Sequence, residues 1–159
     1  MGMRGYLGRT RGTTLALLTI ATVLVVAGTY QVTVPNFTSS QRALFEGFDE
    51  LERLGAYVVD EDGEVLGRIS RGYSSDALGN KFGAGSDYKV NGIFNTMSKH
   101  GNSLSSTSAF NKMASNPPEI LVKRGGETYS VGLLTLNSNA RTRGQRINPY
   151  LLRAWLESE

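Results

Sequence analysis

The stretch at 85–100, GSDYKVNGIFNTMSKH, is followed without a gap at 101–116 by GNSLSSTSAFNKMASN, a second version of itself. At this offset Gly85 meets Gly101, Phe94 meets Phe110, Asn95 meets Asn111 and Met97 meets Met113. Tyr88/Leu104 and Ile93/Ala109 keep their apolar character, and Gly92/Ser108 stay small. Upstream, DALGNKF at 76–82 reads as a degraded earlier copy, so the repeats occupy 76–116. A segment so rich in Gly, Asn and Ser favours turns over long helices or strands. Fewer than three full copies are too few for a solenoid, whose units bury their faces only on neighbours. The reading is therefore a recurring loop: Gly supplies the turn, Asn bonds to nearby main chain, and Phe and Met anchor the loop to a core. Gly85, Phe94, Asn95, Met97, Gly101, Phe110, Asn111 and Met113 become the structural repeat positions.

Two β-hairpins flank the repeats. The first, AYVVDEDGEVLGRIS, turns at Asp60-Glu61-Asp62-Gly63, where Asp and Gly tolerate the required backbone. Asp60 and Asp62 have the spacing of calcium-loop ligands, but Gly63 comes too early and the later carboxylates are missing. A solvated hairpin tip is the expectation. The second hairpin, EILVKRGGETYSVGLLTL, turns at Gly125-Gly126 and follows Asn116-Pro117-Pro118, which closes the repeats.

Helices are expected at both ends of this unit. Thr38 or Ser39 caps the first, Leu44, Phe45, Phe48, Leu51 and Leu54 line one face, and Gly55 ends it. Near the C-terminus Asn148 caps a short helix with Pro149 at its first position. Leu151, Leu152, Trp155 and Leu156 form its apolar stripe. The fold class is α+β: an N-terminal export or anchor helix, an amphipathic helix, two hairpins around the repeats, and a short C-terminal helix.

Charge separates the N-terminus from the body. Of the 17 basic residues, Arg4, Arg9 and Arg11 are the only charges before Arg42, leaving 14 to face all 14 acidic residues. A neutral body lacks the clustered Lys and Arg that neutralise phosphates, so nucleic acid is not an expected partner. The arginines precede TTLALLTIATVLVVAGTY, the layout of an export signal. Residues 1–28 are then a signal peptide cleaved before Thr29. The competing reading keeps 13–34 as a single membrane span with the arginines on the cytoplasmic side. Either way 29–37 is a linker, and 38–159 is one small exported domain: periplasmic, cell-surface or extracellular, or anchored to the inner membrane with its C-terminus outside. The chain has no cysteine, so the domain relies on packing alone.

The succession DGEVLGRIS, SDALGNKFG, GSDY, NGIFN, GNSL, TSAFNKMASNPPEI resembles a repeat-bearing domain of uncharacterised, mostly exported bacterial proteins. There a DGxYLG-type hairpin leads into NxYG and YGS turns and ends in an NPP segment. The resemblance spans roughly residues 57–135 and implies architecture and export, with no activity. This copy replaces the family's turn tyrosines around Ala84, Met97 and His100.

Catalytic constellations are missing from the pattern. His100 is the single histidine, too few for a zinc site, and its repeat partner is Asn116, so it reads as a polar turn position. No catalytic, cofactor-binding or metal-binding residue is assigned, and no cofactor is implied. Arg141, Arg143 and Arg146 form a candidate anion or partner contact. Two function classes remain: a non-catalytic envelope protein presenting a compact interaction module to an envelope protein or surface polymer, and a small exported carboxylate hydrolase acting on cell-wall or other glycans. In the first, residues 13–34 hold the chain to a membrane if uncleaved.

Overall fold

The computed structural model describes the backbone of 21–23, 32–34 and 41–158, and the side chains of 43–158. The export or anchor segment, the linker and the Thr38 or Ser39 cap fall almost wholly outside the described residues. Within 1–37 two short strands, β1 (Ala21–Val23) and β2 (Val32–Val34), pair antiparallel. No helix among the described residues is long and apolar enough to cross a membrane.

The domain is α+β, with two helices and a five-stranded mixed sheet. Helix α1 (Gln41–Arg53) buries Phe48 and Leu51 and packs Phe45 and Leu54 against the core. It stops at Gly55, whose φ of 69° suits glycine. The Gly55 amide then donates to Glu52 O and the Ala56 amide to Leu51 O, each at 2.9 Å, the bond pair of a Schellman motif.

Strands β3 (Tyr57–Val59) and β4 (Val65–Arg68) form the first hairpin; β5 (Glu119–Arg124) and β6 (Glu127–Leu134) form the second. Gly125 and Gly126, with φ of 58° and 86°, turn the second in the sense that matches strand twist. Strand β7 (Gln145–Ile147) lies parallel to β6, giving the order β4-β3-β5-β6-β7. The β3–β5 pairing brings the two hairpins into one sheet, so the whole repeat segment must leave from β4 and return beside β3.

Helix α2 (Pro149–Leu156) starts at Asn148, whose Oδ1 accepts from the Tyr150 amide at 2.9 Å. Its Trp155 is fully buried, with its ring centroid 5.5 Å from that of Phe48. The indole nitrogen donates to Asp49 Oδ1 at 3.0 Å, which gives the buried N–H its partner. The Arg71 guanidinium lies over the indole at 4.5 Å and binds Asp49 and Glu52, tying the start of the repeat segment to both helices.

Candidate interaction surface

Between β4 and β5 the chain runs as a ribbon of consecutive tight turns with a period of three. Main-chain bonds from each residue to the carbonyl three back join Ala77 to Ser74, Asn80 to Ala77, Gly83 to Asn80 and Ser86 to Gly83. The series continues with Lys89, Gly92, Asn95 and Ser98. After Ser98 the step is four, from Asn102 to Ser98, and threes resume through Ser105 and Ser108. The sixteen-residue repeat is thus five triplets plus one inserted residue, the position of Gly101.

Short polar side chains at triplet starts hold these turns. Asn80, Asn95, Asn102 and Asn111 accept through Oδ1 from the amide two residues on, at 2.8–2.9 Å. Ser86, Ser98, Ser105 and Ser108 do the same through Oγ. Each bond satisfies an amide that no ladder reaches. Asn95 and Asn111 also donate through Nδ2 to the carbonyl six residues back, those of Lys89 and Ser105. Successive coils contact each other too, with Ala84 N bonded to Ser75 O and Ala109 N to His100 O.

Some triplets face the core and others face solvent. Ile93-Phe94 and Ala109-Phe110 turn toward the core, and the two Phe rings meet edge to face with centroids 6.4 Å apart. The triplets that begin at Asn80, Ser86, Asn95, Asn102 and Asn111 turn outward. Their third residues Phe82, Tyr88, Met97, Leu104 and Met113 are 85–101% exposed. This corrects the expectation that Met97 and Met113 anchor the ribbon. Of the expected Phe and Met anchors only Phe94 and Phe110 reach the core, because the seat of each coil against the sheet and helices decides which third residues are covered.

Gly85 and Gly101 are required for space, not for turn conformation. A Cβ on Gly85 would stand 2.0 Å from Leu78 O, and one on Gly101 2.1 Å from Asn95 O. Both glycines sit where one coil crosses another.

The hairpin tip is solvated as expected at Glu61, Asp62 and Gly63, and departs from expectation at its first residue. Asp60 is 5% exposed and His100 is fully buried, so neither is a solvated turn residue. Asp60 Oδ1 accepts from the amides of Asp62 (3.0 Å) and Glu64 (2.9 Å), and Oδ2 takes the Lys99 ammonium at 3.3 Å. Burial raises the cost of ionising Asp60. The two amides and Lys99 outweigh that cost and hold its carboxyl below the ordinary value. Lys99 is raised in turn, first by its hydrogen bond to Asp60. The His100 ring lies between Asp60 Oδ2, 3.6 Å from Nε2, and Thr107 O, 3.4 Å from Nδ1. This trio pins the ribbon's middle to the first hairpin. The sequence hid it because Asp60 and Lys99 lie 39 residues apart.

Arg146 donates through Nε to Ala140 O at 2.8 Å, while Arg141 and Arg143 lie in the preceding loop. Two open clefts flank the ribbon's first outward triplets. Ser75, Phe82, Gly83, Ser86, Tyr88 and Lys89 line one; Glu64, Val65, Leu66, Lys89, Val90 and Asn91 line the other. Neither sets two carboxylates face to face, which the glycan-hydrolase chemistry would need. No group of three or more His, Cys, Asp or Glu is placed to hold a metal among the described residues.

Fold and surface together define an α+β domain carrying a ribbon of three-residue turns. Comparison of the chain with protein-family models, with curated proteins and with solved structures finds no match.

Proposed function

We propose that the chain is a non-catalytic envelope protein, exported or held at a membrane by residues 13–34, whose turn ribbon is an interaction module. One observation carries this reading. Of nine large apolar side chains that stand exposed among the described residues, seven lie in the ribbon and its approach, from Tyr73 to Met113. Isolated surface hydrophobes are ordinary, but concentration on one rigid segment is the mark of a contact surface. Five of the seven, Phe82, Tyr88, Met97, Leu104 and Met113, have their amides held by an Asn or Ser side chain two residues back, so they stand on ordered turns. The arginine-led apolar segment supports export. The likeness to exported repeat-bearing domains supports the repeat architecture and export, and the partner we propose for the ribbon is an envelope protein or a surface polymer.

The test is site-specific photocrosslinking in cells. A benzophenone side chain at Leu104 or Met113 should give discrete adducts, while the same group at Lys123 on the second hairpin should not. Equal yields from all three sites would remove the reading.

A further inference from the structure

We infer that His100 is a proton-operated clamp between the first hairpin and the ribbon: as an imidazolium it ties Asp60 to Thr107, and as a neutral ring it holds only one of the two. This goes beyond the reading of the ribbon as an interaction module and does not depend on its partner.

Both ring nitrogens face oxygen acceptors. Nε2 lies 3.6 Å from Asp60 Oδ2, and Nδ1 lies 3.4 Å from Thr107 O. A neutral imidazole carries one N–H and one lone pair, so either tautomer aims a lone pair at an oxygen. With the proton on Nδ1 the bare Nε2 faces a carboxylate; with the proton on Nε2 the bare Nδ1 faces a carbonyl. The imidazolium alone donates to both. The ring is fully buried, so bulk water does not relieve the mismatch, and Nε2 is enclosed without a hydrogen-bond partner. Its distance to Oδ2 is within ion-pair reach and a few tenths of an ångström beyond hydrogen-bond length, a gap that a charged N–H closes.

The charged groups around the ring decide whether it takes the proton. From the first hairpin comes the Asp60 carboxylate, kept in place by the Asp62 and Glu64 amides. From the ribbon comes Lys99, whose ammonium lies 3.3 Å from the same Oδ2 and opposes a second cation. Two facts limit that opposition. The Lys99 side chain is 44% exposed, against 0% for His100 and 1% for Asp60, so water screens the lysine more than it screens the enclosed pair. Lys99 also has a second carboxylate, Glu61 Oε1 at 3.9 Å, and feels the charge of Asp62 on the same side.

His100 O accepts from the Ala109 amide at 3.1 Å and from Ser108 Oγ at 3.0 Å, and Thr107 Oγ1 donates to Lys99 O at 3.1 Å. The ring therefore sits where the four-residue step at 98–101 meets the coil at 105–109, and the turn bearing the exposed Leu104 connects the two. Proton uptake draws the hairpin tip and both coils onto the ring. Proton loss frees one contact. The clamped form binds one proton more, so local order is greatest in acid and falls as pH rises.

The experiment is NMR of the detergent-solubilised full chain carrying isotope-labelled histidine; the sequence has one histidine, so the ring signals report this residue alone. From about pH 8 to about pH 5, the range in which histidines exchange their proton, both ring nitrogens should pass to the N–H state with the chain still folded. Over the same range the amide-exchange protection factors at Ala109 and Glu64 should rise about threefold or more, while those of the β5–β6 ladder hold. His100→Gln, which has no titratable ring, should lose this pH response whatever its stability. Lys99→Met should keep it, and its loss there would assign the response to the lysine pair and overturn the clamp. A ring that retains a bare nitrogen until the chain unfolds also overturns it. So does a protection gain that His100→Gln shows in equal measure, or no gain in the parent while the ring takes its proton.

Discussion

Asn95 and Asn111 make the same pair of hydrogen bonds: Oδ1 accepts from the methionine amide two residues on, and Nδ2 donates to the carbonyl six residues back. Each side chain thus closes its own turn and ties it to the preceding coil. Asn95→Ala and Asn111→Ala should each destabilise the protein by about 1–3 kcal/mol, the usual cost of orphaning partly buried main-chain groups. Urea unfolding should show similar midpoint shifts for the two. Lys112→Ala, on an exposed neighbouring position, should change little.

Gly85 and Gly101 should tolerate no side chain. A methyl at either position would fall about 2 Å from a main-chain carbonyl of the adjoining coil, and the carbonyl cannot swing aside without breaking the ribbon. Gly85→Ala and Gly101→Ala should each cost about 3 kcal/mol or more, at the extreme of single substitutions. Gly63→Ala makes the contrast. It meets open space, but its φ of 82° predicts a loss of about 1 kcal/mol, read in the same unfolding experiment.

Replacement of His100 by the residue of its repeat partner should not be silent. Asn116 is exposed, whereas His100 is fully enclosed beside Asp60 and Thr107. His100→Asn removes ring volume from a closed site and should destabilise by about 1–3 kcal/mol. A thermal midpoint equal to the parent's would show that the enclosure contributes nothing.

Acid stability should depend on Asp60. Its folded carboxyl titrates below its ordinary value of 3.8. The stability it adds is therefore complete above the unfolded value and is lost as pH falls through the lower folded value. Asp60→Asn should remove that part of the acid unfolding curve and lower stability at neutral pH, where Lys99 would lose the nearer of its two carboxylate partners. Urea midpoints of the two proteins should converge as pH drops below the ordinary carboxylate value.

Met97→Ser, Leu104→Ser and Met113→Ser should each shift stability by no more than about 0.5 kcal/mol, because these side chains bury no core surface. Phe94→Ala, against the Arg153 guanidinium and Phe110, should cost about 3–5 kcal/mol. A comparable loss from the outward residues would contradict this division of the ribbon into inward and outward residues.

By itself the sequence determined what depends on near neighbours. The helical stripe of Phe48 and Leu51, the stop at Gly55, the Gly125-Gly126 turn and the Asn148 cap all act over a few residues, so their signals are local. The equivalence of Asn95 and Asn111 was legible for the same reason, since an Asx turn closes within three residues. The three-residue period was not legible. Its bonds run between main-chain groups, and triplets open equally on Ser, Lys, Gly or Asn. Tertiary structure alone decided which apolar residues go inward. Phe94 and Met97 are both apolar third residues of adjacent triplets, yet the coil's seat against the sheet and helices buries one and exposes the other. The same long-range placement enclosed Asp60 with His100. The β3–β5 pairing that draws the ribbon back over the first hairpin links residues far apart in sequence, a contact that no local pattern of side chains encodes.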